Sequence, residues 1–326
     1  MKKSLRILFT CIGRRVTLLQ YFRVAAHSLG IKAVFMGTDT SPLAAALQLC
    51  DKKFVLPPVN SPGYMRSLMK IVKAEKIDLI IPTIDPELEI LAKNRDKLAK
   101  IGAAVLVSDA GVINMCRDKR KMHDFFTSND FDTPKICTPK AALAAKRIKF
   151  PLFLKPWDGS AAKANAVVKN REELEFYSKH IPHCMIQEFI KGTEYTCDVY
   201  VDSDMKVRCV VPRKRIEVRG GEVSKGQTVK HAHIMETTAK LVEKLGAGPG
   251  VITVQCFLTD DGKLKFMEIN PRFGGGVILA ITAGADFPKW ILSELIGKKP
   301  DIKFNAFQDG LIMLRYDEQV FLLQKN

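Results

Sequence analysis

Residues 265–276 read KFMEINPRFGGG. Glu268, Asn270 and Arg272 occupy every second position, with apolar Met267 just before the first and Ile269 between the first two, and a glycine run follows. Side chains alternate across a strand, so this spacing puts an acid, an amide and a guanidinium on one face. An exposed sheet face is the plain explanation. Pro271 and the glycines argue against an ordinary strand end, because RFGGG leaves bare backbone close to whatever the polar face holds. A carboxylate and an amide oxygen side by side are hard ligands suited to Mg²⁺, which keeps substrate phosphates in its shell. Arg272 aims a planar cation at the same place, where it could bind a phosphoryl group. Upstream, VITVQCFL carries Gln255, a further oxygen donor, and the turn TDDGK makes that strand an antiparallel neighbour.

Outward from this strand pair the chain has two grammars. Toward the N-terminus, strand-like and helix-like segments alternate: LRILFTC (5–11), VTLLQYFRVAAHSLG closing at Gly30, KAVFMGTD (32–39), PGYMRSLMKIVKAEK (62–76), IDLIIPTID (77–85), PELEILAKNRDKLAKIG and AAVLVSD. This alternation predicts an α/β domain with a parallel sheet over residues 1–112. After it, Asp118 can cap a helix, FDTPKICTPKAA is a connector, FPLFLKP (150–156) and ANAVVKN (164–170) read as strands around the loop WDGSAAK, and Asn170 with Glu173 suggests a capping box. From residue 184 onward strand signals dominate. An α+β unit is therefore expected over 113–326, with a smaller subdomain at 113–185 and a larger antiparallel one at 186–326.

Composition narrows the functional classes. The chain has 326 residues, 47% of them hydrophobic, which is enough to build real cores. No apolar run reaches the length of a membrane span, and the basic N-terminus lacks a cleavage pattern, so a cytoplasmic protein is expected. Eight single cysteines without a CxxC pair read as reduced, packed thiols. The pairs His180/His183 and His231/His233 have no acids or cysteines at metal-ligand spacing. The formal charge of +16 favours anionic partners. Its basic residues are spread along the chain, and aromatics are not interleaved with them, which speaks against a nucleic-acid module. Gly13 and Asp39 superficially suggest a dinucleotide fold, but CIGRRVTLL lacks GxGxxG.

Gln255, then Glu268 thirteen residues on, then EINPR, resembles the metal-binding end of the ATP-grasp superfamily, and most of all a single ATP-grasp unit of the carbamoyl-phosphate synthase large subunit. The resemblance extends along the chain through GRR, TDTSPLA, IPTIDPELEIL and RKRIEVRGGEVSKGQTV. It implies a pre-ATP-grasp domain followed by an ATP-grasp domain, with ATP and Mg²⁺ (or Mn²⁺) as cofactors. It implies that Gln255, Glu268 and Asn270 hold the metal, and that Lys119 in RDKRKMHDFF and Lys155 in FPLFLKPWDGS contact phosphates. It further implies that Glu188, Phe189 and Ile190 receive adenine, and that Glu194 accepts from ribose. The phosphate-covering loop of the family is usually glycine-rich; here DGSAAKAN has one glycine, so Ser160 and Lys163 could share its task. Arg272, Arg215 and Lys225 are the candidate catalytic cations, the last two on a segment that could also be a solvated basic hairpin. Arg14 and Arg15 after the first strand, with Asp85 and Glu87 after IDLIIPT, could hold the carboxylate and ammonium of an amino acid; surface arginines and helix-start acids are the plain alternative.

The expected activity is an ADP-forming ligase that phosphorylates a small carboxylate and transfers it to an amine, and a homodimer is a candidate assembly. Its rivals are a bicarbonate- or carbamate-phosphorylating enzyme and a non-catalytic basic binding protein. A single ATP-grasp unit makes the complete carbamoyl-phosphate synthase reaction an unexpected one.

Overall fold

The computed structural model describes residues 4–159 and 164–323. The N-terminal sheet is parallel throughout. Its strands are β1 (Leu5–Thr10), β2 (Ala33–Asp39), β3 (Lys52–Val55), β4 (Leu79–Pro82) and β5 (Ala104–Val105), in the order β3-β2-β1-β4-β5. The order reverses beside β1, so the crevice at the carboxyl ends of β1 and β4 is the place where such a sheet receives ligands. β1 serves two cores by simple alternation: Leu5, Ile7 and Phe9 face one, Leu8 the other.

Two antiparallel sheets follow. A four-stranded sheet, ordered β6-β9-β7-β8, contains β6 (Ile136–Cys137), β7 (Leu152–Pro156), β8 (Ala166–Val168) and β9 (Cys184–Glu188). A six-stranded sheet, ordered β14-β13-β10-β11-β12-β15, contains β10 (Gly192–Val201), β11 (Val207–Arg219), β12 (Glu222–Thr228), β13 (Gly250–Thr259), β14 (Leu264–Asn270) and β15 (Ile312–Leu314). The α/β-then-α+β order matches the expectation. The subdomain edge expected at residue 185 falls inside β9, which completes the four-stranded sheet.

Local differences have local causes. The helix expected over 86–102 is two, Asp85–Lys93 and Arg95–Lys100, because the Asn94 side chain bonds back to Ile90 O at 2.9 Å and competes with the backbone ladder. AAVLVSD forms only the two-residue β5, since β4 is itself short. Asp118 caps the helix Lys119–Ser128 by accepting from the Arg120 amide, and Asn170 caps Arg171–His180 by accepting from Glu173 N. In the second case Glu173 reaches back to the Lys169 amide, one residue before the cap.

The six-stranded sheet has two unlike faces. Tyr195, Cys197 and Val199 of β10 register with Cys256, Val254 and Ile252 of β13, and this apolar face is covered by the helix Ala232–Leu245. The opposite face carries Glu194, Thr196 and Asp198 on β10, and Phe257, Gln255 and Thr253 beside them on β13. A chain of edge-on rings joins this sheet to the N-terminal one: Phe9 to Phe22 at 5.1 Å and Phe22 to Phe273 at 6.0 Å between centroids. Phe273 directly follows Arg272, so the residue after the opening motif is a core plug between the two halves.

Candidate active site

The polar face of the six-stranded sheet forms the floor of a cleft of about 690 Å³. On β14 and β13 the antiparallel register sets Glu268 opposite Gln255 and Asn270 opposite Thr253. A bulge at Met267, the extra β14 residue opposite the Gln255–Cys256 step, sends Phe266 into the core while Glu268 stays on this face. Asn270 Nδ2 donates to Glu268 Oε1 at 3.1 Å, which leaves the amide oxygen for another partner. Burial pushes the Glu268 carboxyl up, but Lys119, Lys155, the Asn270 bond and Arg272 outweigh it and hold the group ionised, below its ordinary range.

The four-stranded sheet supplies the roof. Leu154 is buried in that sheet's own core, so Phe153 and Lys155 point the other way, into the cleft. Lys155 is only 6% exposed. Burial, with help from Lys119, draws its pKa down to about 8, while Glu268 and Glu194 pull the other way. Lys119 opens the helix Lys119–Ser128; its amide donates to Trp157 O and its Nζ to Gly159 O at 2.5 Å. Thus two ammonium groups hang over a half-buried carboxylate and two amides.

At the far end stands Arg272. Its Nη2 donates to Asp85 Oδ2 at 2.5 Å, and its Nη1 to Phe273 O at 3.0 Å; among the described residues its buried Nε meets no hydrogen-bond partner. Asp85 opens the helix after β4, so an acid of the N-terminal sheet orients an arginine of the other half. The glycine run of the opening stretch has a steric reason. A side chain at Gly274 would meet Thr253 Oγ1 at 3.0 Å, one at Gly275 would meet Glu222 Oε1 at 3.1 Å, and one at Gly276 would meet Val223 Cγ1 at 2.4 Å and Arg213 Nη1 at 2.5 Å. Bare backbone lets the loop lie against the β11–β12 hairpin and the arginine beneath it.

The cleft brings together Arg15, Asp85, Lys119, Lys155, Glu194, Arg215, Gln255, Glu268, Asn270 and Arg272. Glu194 faces Arg215 at 3.2 Å, and burial raises its pKa although the arginine opposes this. Other expected residues sit elsewhere. Glu87 is wholly buried beneath the cleft, where Thr10 Oγ1 (2.8 Å) and the Tyr64 hydroxyl donate to it; burial raises its pKa to about 7. Arg14 is largely exposed, and Lys225 pairs with Glu217 at 2.6 Å on the outside of the hairpin, its cross-strand neighbour. Glu188 is tied to Lys135, donating from its amide at 2.9 Å and accepting on its side chain at 3.2 Å. It and its neighbours Phe189 and Ile190 do not line the cleft. Ser160 and Lys163 lie outside the described residues.

Two acids, Asp198 and Glu222, are additional to the sequence reading. Asp198 accepts twice from Arg213, at 2.6 and 3.1 Å, in a pair with 0% and 1% side-chain exposure. The step of two from Glu194 and Thr196 to Asp198, and from Arg215 to Arg213, is the signal that places them on the same face. Glu222 had no such signal: it joins Arg315 at 2.6 Å and Arg14 at 4.0 Å, residues far apart in sequence.

The donor set fits a hard cation and a polyphosphate. Gln255, Glu268 and Asn270 offer oxygens only, and among the described residues no group of three or more His, Cys, Asp and Glu could hold a metal by itself. A site with one carboxylate and two amides needs phosphate oxygens to complete the shell of a Mg²⁺ ion.

A parallel α/β unit leading into two antiparallel sheets, closed on a cleft with lysines above and oxygen donors below, is the ATP-grasp architecture. Residues 7–106 match the family model "PylC-like, N-terminal domain", and residues 180–318 match "ATP-grasp in the biosynthetic pathway with Ter operon". The carbamoyl-phosphate synthase of Methanobrevibacter smithii is 24% identical over 269 residues, which span 76% of this chain and 69% of that protein. An L-amino acid ligase from Bacillus licheniformis superimposes with a TM-score of 0.70 at 19% identity, covering 90% of this chain and 75% of that one. The biotin carboxylase domain of Hydrogenobacter thermophilus 2-oxoglutarate carboxylase, solved with MgADP, ADP and bicarbonate, gives 0.72 at 16% identity, with coverage of 94% and 73%. The ATP-grasp model covers residues 180–318, and the chain is similar in sequence to carbamoyl-phosphate synthases and shares its fold with the ligase and the biotin carboxylase domain. Members of the superfamily work with ATP and Mg²⁺. Among the described residues no helix is long and apolar enough to cross a membrane.

Proposed function

We propose that this enzyme phosphorylates a small carboxylate with ATP and passes the acyl group to an amine. The observation that carries the reading is the half-buried Glu268, held ionised by the cations around it and set between Gln255 and Asn270, with Lys155 above and Arg272 at its end. When bound, Mg²⁺ would supply positive charge that offsets the charge of the nucleotide phosphates. Gln255, Glu268 and Asn270 would hold it, and Mn²⁺ would suit the same oxygens.

Phosphoryl transfer asks little covalent chemistry of a protein, so positioning and charge neutralisation dominate. Lys155 and Lys119 hold the phosphates from the roof. Arg272, fixed by Asp85, neutralises the phosphoryl group as a carboxylate oxygen attacks it and ADP departs. Glu194 is placed to accept from a ribose hydroxyl, and its pairing with Arg215 keeps that arginine over the floor. The amine then attacks the acyl carbon, phosphate leaves, and the amine's proton goes to phosphate or solvent.

Hydroxylamine in place of the natural amine tests this directly. With ATP, Mg²⁺ and the right carboxylate it yields a hydroxamate in step with ADP, and Arg272→Ala suppresses both. AMP and pyrophosphate as products would overturn the acyl-phosphate route in favour of adenylation. Bicarbonate-dependent ADP release without hydroxamate would assign the bicarbonate reaction instead.

A further inference from the structure

Beyond Arg272 the cleft continues to Arg15, in the turn between β1 and the helix Val16–Ser28. The Arg15 amide donates to Ile12 O, but among the described residues its guanidinium has no hydrogen-bond acceptor. Arg272 and Arg315 crowd it with like charge, and Glu222 and Asp85 only partly offset them. A sheltered guanidinium without an acceptor calls for an anion.

Across from it lies Glu222. Its contacts with Arg315 and Arg14 both fall on Oε2. Its Oε1 faces the loop instead, 3.1 Å from the point a Gly275 Cβ would occupy, and Arg15 Nη1 is 3.3 Å from that same point. A cation without an acceptor and an acid oxygen without a donor thus border one small space, which a single methyl group on residue 275 would begin to fill. A carboxylate and an ammonium on adjacent atoms match that pair. A plain carboxylate would leave Glu222 Oε1 unmet, and a dicarboxylate would set an anion against it.

We propose that the acyl donor is an α-amino acid, its carboxylate taken by Arg15 beside Arg272 and its ammonium by Glu222 Oε1. This rests on the ligase reading above. The carboxylate oxygen forms a bond to the γ-phosphorus of ATP as the bond to the bridging oxygen breaks and ADP leaves. The acceptor nitrogen then bonds to the acyl carbon, phosphate carries off the C–O electron pair, and one proton is released from the nitrogen.

The test supplies each standard L-amino acid and its D-enantiomer singly, beside the matching 2-hydroxy and des-amino acids, with MgATP and hydroxylamine. ADP and hydroxamate are read, and MgADP binding is measured by calorimetry on every variant. At least one amino acid should react, with kcat/KM about tenfold or more above its des-amino analogue, the loss expected for one charged hydrogen bond. Glu222→Gln should erase that preference while leaving MgADP binding intact. Gly275→Ala should raise KM for the amino acid without changing MgADP affinity. Preference for a non-amino acid, a preference unchanged in Glu222→Gln, or MgADP binding with no reactive amino acid would overturn the assignment and leave the ligase reading standing. Failure of wild-type protein to bind MgADP would remove the ligase reading and this assignment with it.

Discussion

Lys155 offers a direct way to locate the phosphates, because binding should change its protonation. In the free enzyme, burial holds its pKa at about 8 against an ordinary 10.5. A polyphosphate delivered to its ammonium favours the charged form and restores the higher value. Nucleotide binding must then take up protons: about a tenth of one per site at pH 7, about half at pH 8 and about nine tenths at pH 9. Calorimetry with MgADP in buffers of different ionisation enthalpy reads this number directly. Lys155→Met should abolish the rise with pH and weaken binding by about 1.5–3 kcal/mol, a lost charged hydrogen bond. The stability of the free enzyme provides a second reading. Between pH 8 and 10.5 the unfolded chain binds a proton at this lysine that the folded chain does not. Stability therefore rises with pH across that window, by at most about 3 kcal/mol, and saturating MgADP removes the rise. Equal proton uptake by wild type and Lys155→Met, or none by wild type at pH 9, would refute the placement of phosphate at this residue.

Glu268→Gln and Asn270→Ala should each cut ATP turnover by about a hundredfold or more while thermal unfolding stays cooperative, because they remove oxygen donors without touching the apolar face; normal ADP release at limiting Mg²⁺ would break the metal assignment. Asp198→Ala strands the buried Arg213 guanidinium and should cost about 3–5 kcal/mol in urea denaturation, whereas Asp198→Leu with Arg213→Met together should recover most of it. Gly276→Ala should cost about 1–3 kcal/mol on the same measurement, since its new methyl must displace Val223 and Arg213.

The step from Glu268 to Asn270 was readable because a strand sets its own period of two, although the bulge at Met267 breaks that period one residue earlier. The same rule places Glu194, Thr196 and Asp198 together, and the turn at TDDGK fixes which strand lies beside which. Long-range pairing was not readable in this way. Asp85 and Glu87 look equivalent in the sequence, two acids in the first turn of one helix. A rotation of two residues sends the first to Arg272 and buries the second against Thr10 and Tyr64. Arg14 and Arg15 diverge for the same reason, one to solvent and one to the cleft. Glu222 was silent because its meaning comes from Arg14, Arg15 and Arg315, whose meeting is a property of the folded chain alone.

The bond between Asp85 and Arg272 bears on how this protein could be rebuilt. The guanidinium proposed to face the reacting phosphoryl group takes its aim from an acid at a helix start in the N-terminal half, and Phe273, the next residue, packs against Phe22 of that same half. A chimera that grafts residues 113–326 onto a foreign N-terminal unit would inherit every proposed metal and phosphate ligand, yet its arginine would swing without a tether. Such a hybrid should bind nucleotide normally and react slowly. Supplying an acid at the position of Asp85 and an aromatic ring at that of Phe22 is the minimum a donor scaffold must bring, which makes the N-terminal half an interchangeable part only among scaffolds that carry both.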